Sequence, residues 1–253
     1  SYSQRFGEED LVRIYFDIET GPQSHGAIKN ILTYKEEPFK PRGNTKKRET
    51  IAKQHEEWEA DAPIREAEWY SKQIGKAALN PLVGQVVAVG FSTDTSSDTQ
   101  VLLASQTVTE THLIMCLLRE IGHVIDRGGE AITYNGDSFD WPFLIARCRV
   151  LGIKVADFIK IPPFDRFGKT PECFVDLAKE GMFNGSRYNR SFELPKVEEL
   201  CRVFGVPAKT QGWRGDQFHQ KMITHPEQAA DYLKEDVEGL RLLCDKIIGR
   251  VWK

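Results

Sequence analysis

The order of the apolar segments predicts an α/β fold with a mixed central sheet flanked by helices. Short β-branched and aromatic runs, which are typical of buried strands, come first along the chain. These runs then alternate with longer segments whose apolar residues recur at helical spacing. This order of elements is characteristic of α/β proteins.

Five runs have the composition of strands, and the first of them ends at Asp17. The second and third are joined by the polar turn TDTSSD in a hairpin-like pattern. The predicted strands are 12–16, 85–91, 100–104, 131–134 and 173–177.

Helical periodicity is clearest at 109–125, where six apolar residues fall on one face. The segment 227–251 has a similar apolar stripe that begins at Leu233 and Val237. Two shorter helices are predicted at 139–151 and 197–204.

The stretch after the first strand has the character of an insertion. Residues 21–48 are rich in Gly, Pro and Asn and predict a loop, and 49–78 predict a helical segment interrupted near Pro63. We therefore expect a single domain over 1–253 with a helical insertion at about 21–80.

Composition and charge exclude several classes of protein. The 253 residues are 40% hydrophobic and 28% charged, with a net charge of -3. The hydrophobic content is too high for a wholly disordered chain, and the net charge is too negative for a histone-like binder of nucleic acid. No apolar run reaches the roughly 18 residues of a membrane-spanning helix. The N-terminus lacks a signal-peptide core, and five scattered cysteines predict buried, reduced thiols, so we expect a cytoplasmic protein in a reducing compartment.

The first predicted strand delivers two carboxylates within the run YFDIET. Residues i and i+2 of an extended chain point to the same side, so Asp17 and Glu19 would converge. A divalent cation would relieve the repulsion between them. The alternative is a strand end with two solvated acids.

A second acidic segment, YNGDSFD, follows the predicted strand at 131–134 and opens a helix. Gly136 can adopt the positive φ that a tight Asn-Gly-Asp turn requires. Asp140 falls in the first helical turn, where the helix dipole favours an anion. An ordinary helix-start residue is its alternative role, and we interpret Asp137 as a cap of this helix.

The third segment is YLKED, near the start of the last predicted helix. Tyr232 and Asp236 are four residues apart, so they share one helix face at the border of the apolar stripe. A phenol and a carboxylate would therefore point together into a cleft. An ordinary amphipathic helix is the alternative for this segment taken alone.

Together the three segments resemble the motifs of the DEDD superfamily of 3′-5′ exonucleases, which have an RNase H-like fold. FDIET, YNGDSFDWPF and YLKED occur in the order of the Exo I, Exo II and Exo III motifs. A Tyr four residues before the last Asp resembles the DEDDy branch, and Asp231 stands where the DEDDh branch would have His. The chain is similar in particular to the proofreading domain of family B DNA polymerases. We expect it to be a free-standing relative, without palm, fingers or thumb.

The resemblance implies a set of catalytic residues. Asp17, Glu19, Asp140 and Asp236 would hold two Mg²⁺ or Mn²⁺ ions, which prefer carboxylate oxygen to the nitrogen and sulfur ligands of zinc. Such an ion pair activates a water and stabilises the leaving 3′ oxygen, and Tyr232 would orient that water. The product would be a nucleoside 5′-monophosphate.

The resemblance also suggests contacts to the substrate. Backbone groups of Ile18 and Thr20 would hold the terminal nucleotide, and Asn135 would hydrogen-bond near it. Phe139 either stacks on a base or packs in the core. The core is expected to contain the neighbouring aromatic residues, Trp141 and Phe143.

A local excess of five positive charges between 141 and 214 favours a nucleic-acid partner despite the acidic total. The candidate contacts in this stretch are Arg187 and Arg190, within the loop NGSRYNR, and Lys209. Each is also consistent with a solvated basic residue.

We therefore expect a metal-dependent 3′-5′ exonuclease that acts on single-stranded DNA and has no membrane partner. A 3′-5′ exoribonuclease of the same fold is the first alternative, because nothing in the motifs reads the 2′-hydroxyl. A catalytically silent binding module is the second. Loss of an acid would mark such a module, and all four acids and the tyrosine are present.

Overall fold

The structure is a computed structural model that describes residues 12–43, 46–96, 98–164, 170–180, 194–207, 213 and 215–251. Within these residues, five strands form one sheet in the order β3-β2-β1-β4-β5. The strands are β1 (Arg13–Pro22), β2 (Gly84–Thr93), β3 (Gln100–Leu103), β4 (Glu130–Thr133) and β5 (Phe174–Asp176).

The sheet is mixed, as predicted. Strand β4 pairs in parallel with β1 and with β5, whereas β2 and β3 are antiparallel. Strand β1 is longer than predicted, because it continues through Asp17 as far as Pro22. Ile18 and Thr20 are buried, whereas Asp17 and Glu19 are half-buried. This alternation of burial is typical of a strand and not of an exposed loop.

The described residues also form α-helices. They are α1 (His25–Ile31), α2 (Arg48–Ala60), α3 (Ala62–Ala77), α4 (Glu110–Asp126), α5 (Asp140–Leu151), α6 (Leu177–Glu180), α7 (Val197–Phe204), α8 (Phe218–Thr224) and α9 (Pro226–Val251). Helix α7 has the predicted bounds, and the six apolar positions predicted to form one face of α4 are all buried. The α/β fold class is confirmed.

Helix α6, which has four residues, was not predicted, and neither were two longer helices. Helix α1 lies in the segment interpreted as loop, where the Ser24 hydroxyl accepts the Ala27 N–H and buried Ile28 packs with Ala77 and Val83. Helix α8 buries Phe218. Both helices have seven residues, too few for a hydrophobic period to be visible in the sequence.

The chain divides into two compact units, Pro22–Gly84 and the remainder, Ser1–Gly21 with Gln85–Lys253. The first contains α1, α2 and α3, with the predicted interruption at Asp61 between the last two. The second contains the sheet and the helices from α4 onward. That the whole chain is one domain carrying an insertion stays a prediction.

Strand β1 has two buried faces, and each belongs to a different part of the core. Ile14, Phe16 and Ile18 lie in a hydrophobic cluster with buried residues of α4 and α5. Tyr15 lies in another cluster with buried residues of α9, including Val237. Since side chains alternate along a strand, Asp17 and Glu19 point to the same side as Tyr15, towards α9.

Helix α9 lies directly on the sheet at Gly90 of β2. A Cβ atom at this position would be 2.8 Å from Leu233 Cγ and 3.0 Å from Val237 Cγ2. Only glycine permits so close an approach, which fixes the height of α9 above the sheet beside Tyr232 and Asp236.

Four of the five cysteines are buried and Cys116 is half-buried, and all five are free thiols, in agreement with the prediction. Within the described residues, each helix is either too short or too polar to span a bilayer.

Substituting Gly90 tests this packing. We expect Gly90→Ala to lower the free energy of unfolding by about 1–3 kcal/mol, because the new methyl overlaps two side chains of α9. Gly239→Ala in α9 is the matched control, since its Cβ would meet only Cys201 Sγ, at 3.6 Å. The control should be neutral or stabilising by up to about 1 kcal/mol. Urea unfolding followed by circular dichroism measures both, and equal midpoints would contradict the close packing at Gly90.

Candidate active site

Three carboxylates converge where β1 meets α9. Asp17, Glu19 and Asp236 each offer an oxygen atom, and these atoms all lie within 4.8 Å of one another. All three residues are half-buried. A group of this size, composed of oxygen ligands alone, is suited to a hard divalent cation such as Mg²⁺ or Mn²⁺.

The fourth predicted acid, Asp140, is not among the carboxylates that converge. Its side chain is buried, with 4% of its surface exposed, and it accepts hydrogen bonds from the backbone N–H groups of Ile18 and of Asp140 itself. The paired residues of β1 and β4 end at Tyr15 and Ile132, so Ile18 lies beyond the last pair. Asp140 therefore lies against β1 at Ile18, the residue between Asp17 and Glu19.

The electrostatic surroundings of Asp140 are unusual. Burial raises the pKa of its carboxyl to about 7, and the nearby charge of Asp176 acts in the same direction, while the two backbone N–H groups lower it. Its Oδ1 atom is buried and has no hydrogen-bond partner in the described structure. A buried carboxylate oxygen of this kind is an apt ligand for a cation.

Tyr232 shares a face of α9 with Asp236, as predicted, and its ring is held by aromatic neighbours. The side chain is buried, with 4% exposed. Trp213 stacks on it with centroids 5.9 Å apart and planes 22° apart, and Phe218 packs at 5.7 Å. The Lys221 ammonium lies over the Trp213 ring. This packing fixes the direction of the phenol.

Four of the residues predicted to contact the substrate belong to β1 and to the turn before α5. Ile18 and Thr20 have buried side chains, and the N–H of Ile18 is already bonded to Asp140. Asn135 adopts φ 60° in the turn before α5. Phe139 is half-buried, and its ring centroid lies 5.6 Å from that of Phe143. This contact favours the alternative in which Phe139 packs in the core.

The neighbouring aromatic residues Trp141 and Phe143 are 1% and 2% exposed, which confirms that they belong to the core. The basic candidates Arg187, Arg190 and Lys209 lie outside the described residues. Their proposed role stays a prediction.

The interpretation of Asp137 as a helix cap is wrong. Helix α5 is preceded by Phe139, which makes no side-chain capping bond. The Asp137 carboxylate instead accepts hydrogen bonds from Thr170 Oγ1, at 2.7 Å, and from Lys179 Nζ. Both partners are more than 30 residues away in sequence, so local pattern could not show them.

Sequence reasoning also missed Trp213 and Asp176. Asp176 lies inside a predicted apolar strand, and a buried carboxylate in such a strand was the available signal. Trp213 has no comparable signal, because its stacking on Tyr232 depends on the tertiary fold.

Comparisons with known proteins agree with this architecture. No protein-family model and no curated protein matches the chain. The structure is similar to that of the family B DNA polymerase from the hyperthermophilic archaeon Pyrobaculum calidifontis, with a TM-score of 0.54 and 16% sequence identity. The match covers 94% of this chain and 24% of the polymerase chain, so the protein spans about a quarter of that polymerase. At this identity the likeness concerns the fold.

The raised pKa of Asp140 predicts a pH-dependent stability. The unfolded chain loses this proton near pH 3.8, whereas the native protein keeps it until about pH 7. In EDTA, the wild type should therefore lose stability relative to Asp140→Asn as the pH rises from 4 to 7, by about 4 kcal/mol at most. Urea unfolding of both proteins at several pH values measures the difference, from which the titration of groups that do not interact with Asp140 cancels. A difference that stays constant over this range would contradict the buried, protonated state.

Proposed function

We propose that the protein is a divalent-metal-dependent 3′-5′ exonuclease that removes nucleoside 5′-monophosphates from single-stranded DNA. The convergence of Asp17, Glu19 and Asp236 is the observation that supports this proposal most directly. The three residues come from two separate motifs, more than 200 positions apart, and their order matches that of the exonuclease motifs.

The residues fit the metal ions that this activity requires. Carboxylates so close together repel one another, and a divalent cation turns that repulsion into attraction. Asp17, Glu19 and Asp236 would hold the ions, with Asp140 as a further ligand through its Oδ1 atom. When bound, Mg²⁺ or Mn²⁺ would lower the pKa of water and neutralise charge on the leaving 3′ oxygen.

The protein's own groups would position the nucleophile. The Tyr232 phenol shares a helix face with Asp236, so it can hydrogen-bond a water beside the carboxylates. An unperturbed phenol has a pKa near 10, which favours orientation of the water over its full deprotonation. The rigid packing of Trp213 and Phe218 against the ring limits the motion of that hydrogen bond.

A nucleic-acid substrate is supported by the fold, because the similar structure is that of a DNA polymerase. We choose DNA over RNA on this likeness. Asn135 and Phe139 lie within five residues of Asp140 and are our candidates for contact with a terminal nucleotide.

The proposal predicts shortening of single strands from the 3′ end. DNA and RNA strands labelled at either end would be incubated with Mg²⁺, Mn²⁺ or EDTA, and we expect metal-dependent release of nucleoside 5′-monophosphates from DNA. Asp17→Asn should slow this reaction by at least about 10²-fold through loss of a metal ligand. The control is Asp126→Asn, which removes an exposed carboxylate bonded only to Lys160 among the described contacts.

Each negative outcome has a distinct meaning. No shortening of either polymer would contradict the enzyme and favour a silent binding module. If RNA is cleaved faster than DNA, the proposed substrate is wrong and the protein is an exoribonuclease. Unchanged activity in Asp17→Asn would remove Asp17 from the site.

The variant Tyr232→Phe distinguishes a role of Tyr232 in orienting the attacking water from a role in metal binding. The ring keeps its packing while the hydroxyl is lost, so we expect the rate to fall by about 10²-fold with little change in Mn²⁺ affinity. Tyr70→Phe is the matched control, since it removes a buried tyrosine hydroxyl that donates to the Leu32 carbonyl oxygen. A rate equal to that of the control would exclude Tyr232 from the reaction.

A further inference from the structure

A second buried carboxylate lies beside Asp140 and outside the motifs. Asp176 is the last residue of β5 and has 3% of its surface exposed. Its charge contributes to the raised pKa of Asp140, after the larger effect of burial. The two buried carboxylates therefore interact electrostatically inside the protein.

The Asp176 carboxylate accepts hydrogen bonds from three backbone N–H groups. Its Oδ1 atom accepts from Asn135 at 2.7 Å and from Ala178 at 3.0 Å, and its Oδ2 atom accepts from Asp137 at 3.3 Å. Two of these donors belong to the turn 135–139, which joins β4 to α5. This single side chain therefore ties the turn to the end of β5.

The turn has an unfavourable backbone conformation, although the N–H groups of Ser138 and Phe139 donate to the Asn135 carbonyl oxygen at 3.1 and 3.2 Å. Asn135 is at φ 60°, which costs free energy for any residue but glycine, although Asn tolerates it better than most. A Cβ at Gly136 would lie 2.1 Å from Thr133 Oγ1, so the turn is pressed against β4. The hydrogen bonds to Asp176 offset this strain.

The Lys179 ammonium also neutralises the negative charge of Asp137. Asp137, within the turn, pairs with Lys179 and accepts a hydrogen bond from Thr170. Lys179 lies three residues after Asp176, on α6. The pair fixes the turn to the segment after β5 at a second point.

We propose that Asp176 is a positioning residue of the active site, which holds the turn 135–139 and thereby places the Asp140 carboxylate against the Ile18 N–H. Asp140 directly follows that turn, as the first residue of α5. The inference deepens the proposed function and rests on it in one respect, namely that Asp140 is a metal ligand. Asp176 itself need touch neither metal nor DNA.

Asp176→Asn is the informative substitution. It keeps the size of the side chain but replaces one acceptor oxygen with an NH₂ group, so the N–H donors on both oxygens can no longer all be accepted. In metal-free protein, we expect hydrogen exchange of the Ile18 amide to become at least about tenfold faster, with Val237 in α9 unchanged. Mn²⁺ affinity should fall by about 10- to 100-fold, as for other residues that orient a metal ligand.

A double-mutant cycle identifies the route of this effect. In an Asp140→Asn background, Asp176→Asn should change Mn²⁺ affinity by less than about threefold, because the ligand that it positions is already lost. An equally large loss in both backgrounds would overturn the inference. Asp126→Asn again serves as the carboxylate control and should alter neither measurement.

The hydrogen-exchange result separates this inference from the proposed function. Unchanged Ile18 exchange in Asp176→Asn would overturn the positioning role, whether or not the protein cleaves DNA. Faster Ile18 exchange in a protein that neither binds Mn²⁺ nor cleaves DNA would support the positioning role and overturn the nuclease. If Asp176→Asn does not fold, Asp176→Glu takes its place, because the extra methylene moves the carboxylate oxygens away from the Asn135 and Asp137 N–H groups. Unchanged Ile18 exchange in that variant would overturn the inference.

Discussion

Electrostatic repulsion among converging carboxylates is the physical constraint that the packing around this site must meet. Oxygen atoms of Asp17, Glu19 and Asp236 lie within 4.8 Å of one another. Two unit charges at that separation repel by on the order of 3 kcal/mol at an effective dielectric constant of about 20. The packing of Tyr15 beneath α9, and of α9 on Gly90, keeps the two elements together against this repulsion. A divalent cation would convert the same arrangement into a stabilising one.

The unequal lengths of neighbouring strands account for the place of Asp140. Strand β1 runs on to Pro22, whereas its pairing with β4 stops at Tyr15. The N–H of Ile18 therefore becomes available to a carboxylate that arrives from the start of α5. Asp176, at the end of β5, holds the intervening turn. Ends of three parallel strands thus contribute to one site, as is common in α/β proteins.

Much of this arrangement could be predicted from short-range periodicity. The alternation of a strand placed Asp17 and Glu19 on one side, and the spacing of a helix placed Tyr232 with Asp236. What depended on distant partners could not be predicted. Helix α1 is stabilised by residues some 50 positions away, and Asp137 is bonded to Lys179 rather than to the helix that it precedes. The place of Asp140 outside the group of three acids could not be predicted either, because it depends on where the strands and α5 begin and end, which sequence patterns define poorly.

Thermal unfolding as a function of free Mn²⁺ tests the central claim most directly, because a ligand that binds only the native state raises its stability. We expect the melting temperature of the wild type to rise steadily with Mn²⁺, by on the order of 5 °C at 100 times the dissociation constant. In Asp17→Asn the rise should be largely lost. A wild-type melting temperature that does not respond to Mn²⁺ or Mg²⁺ would contradict the claim that these carboxylates form a metal site.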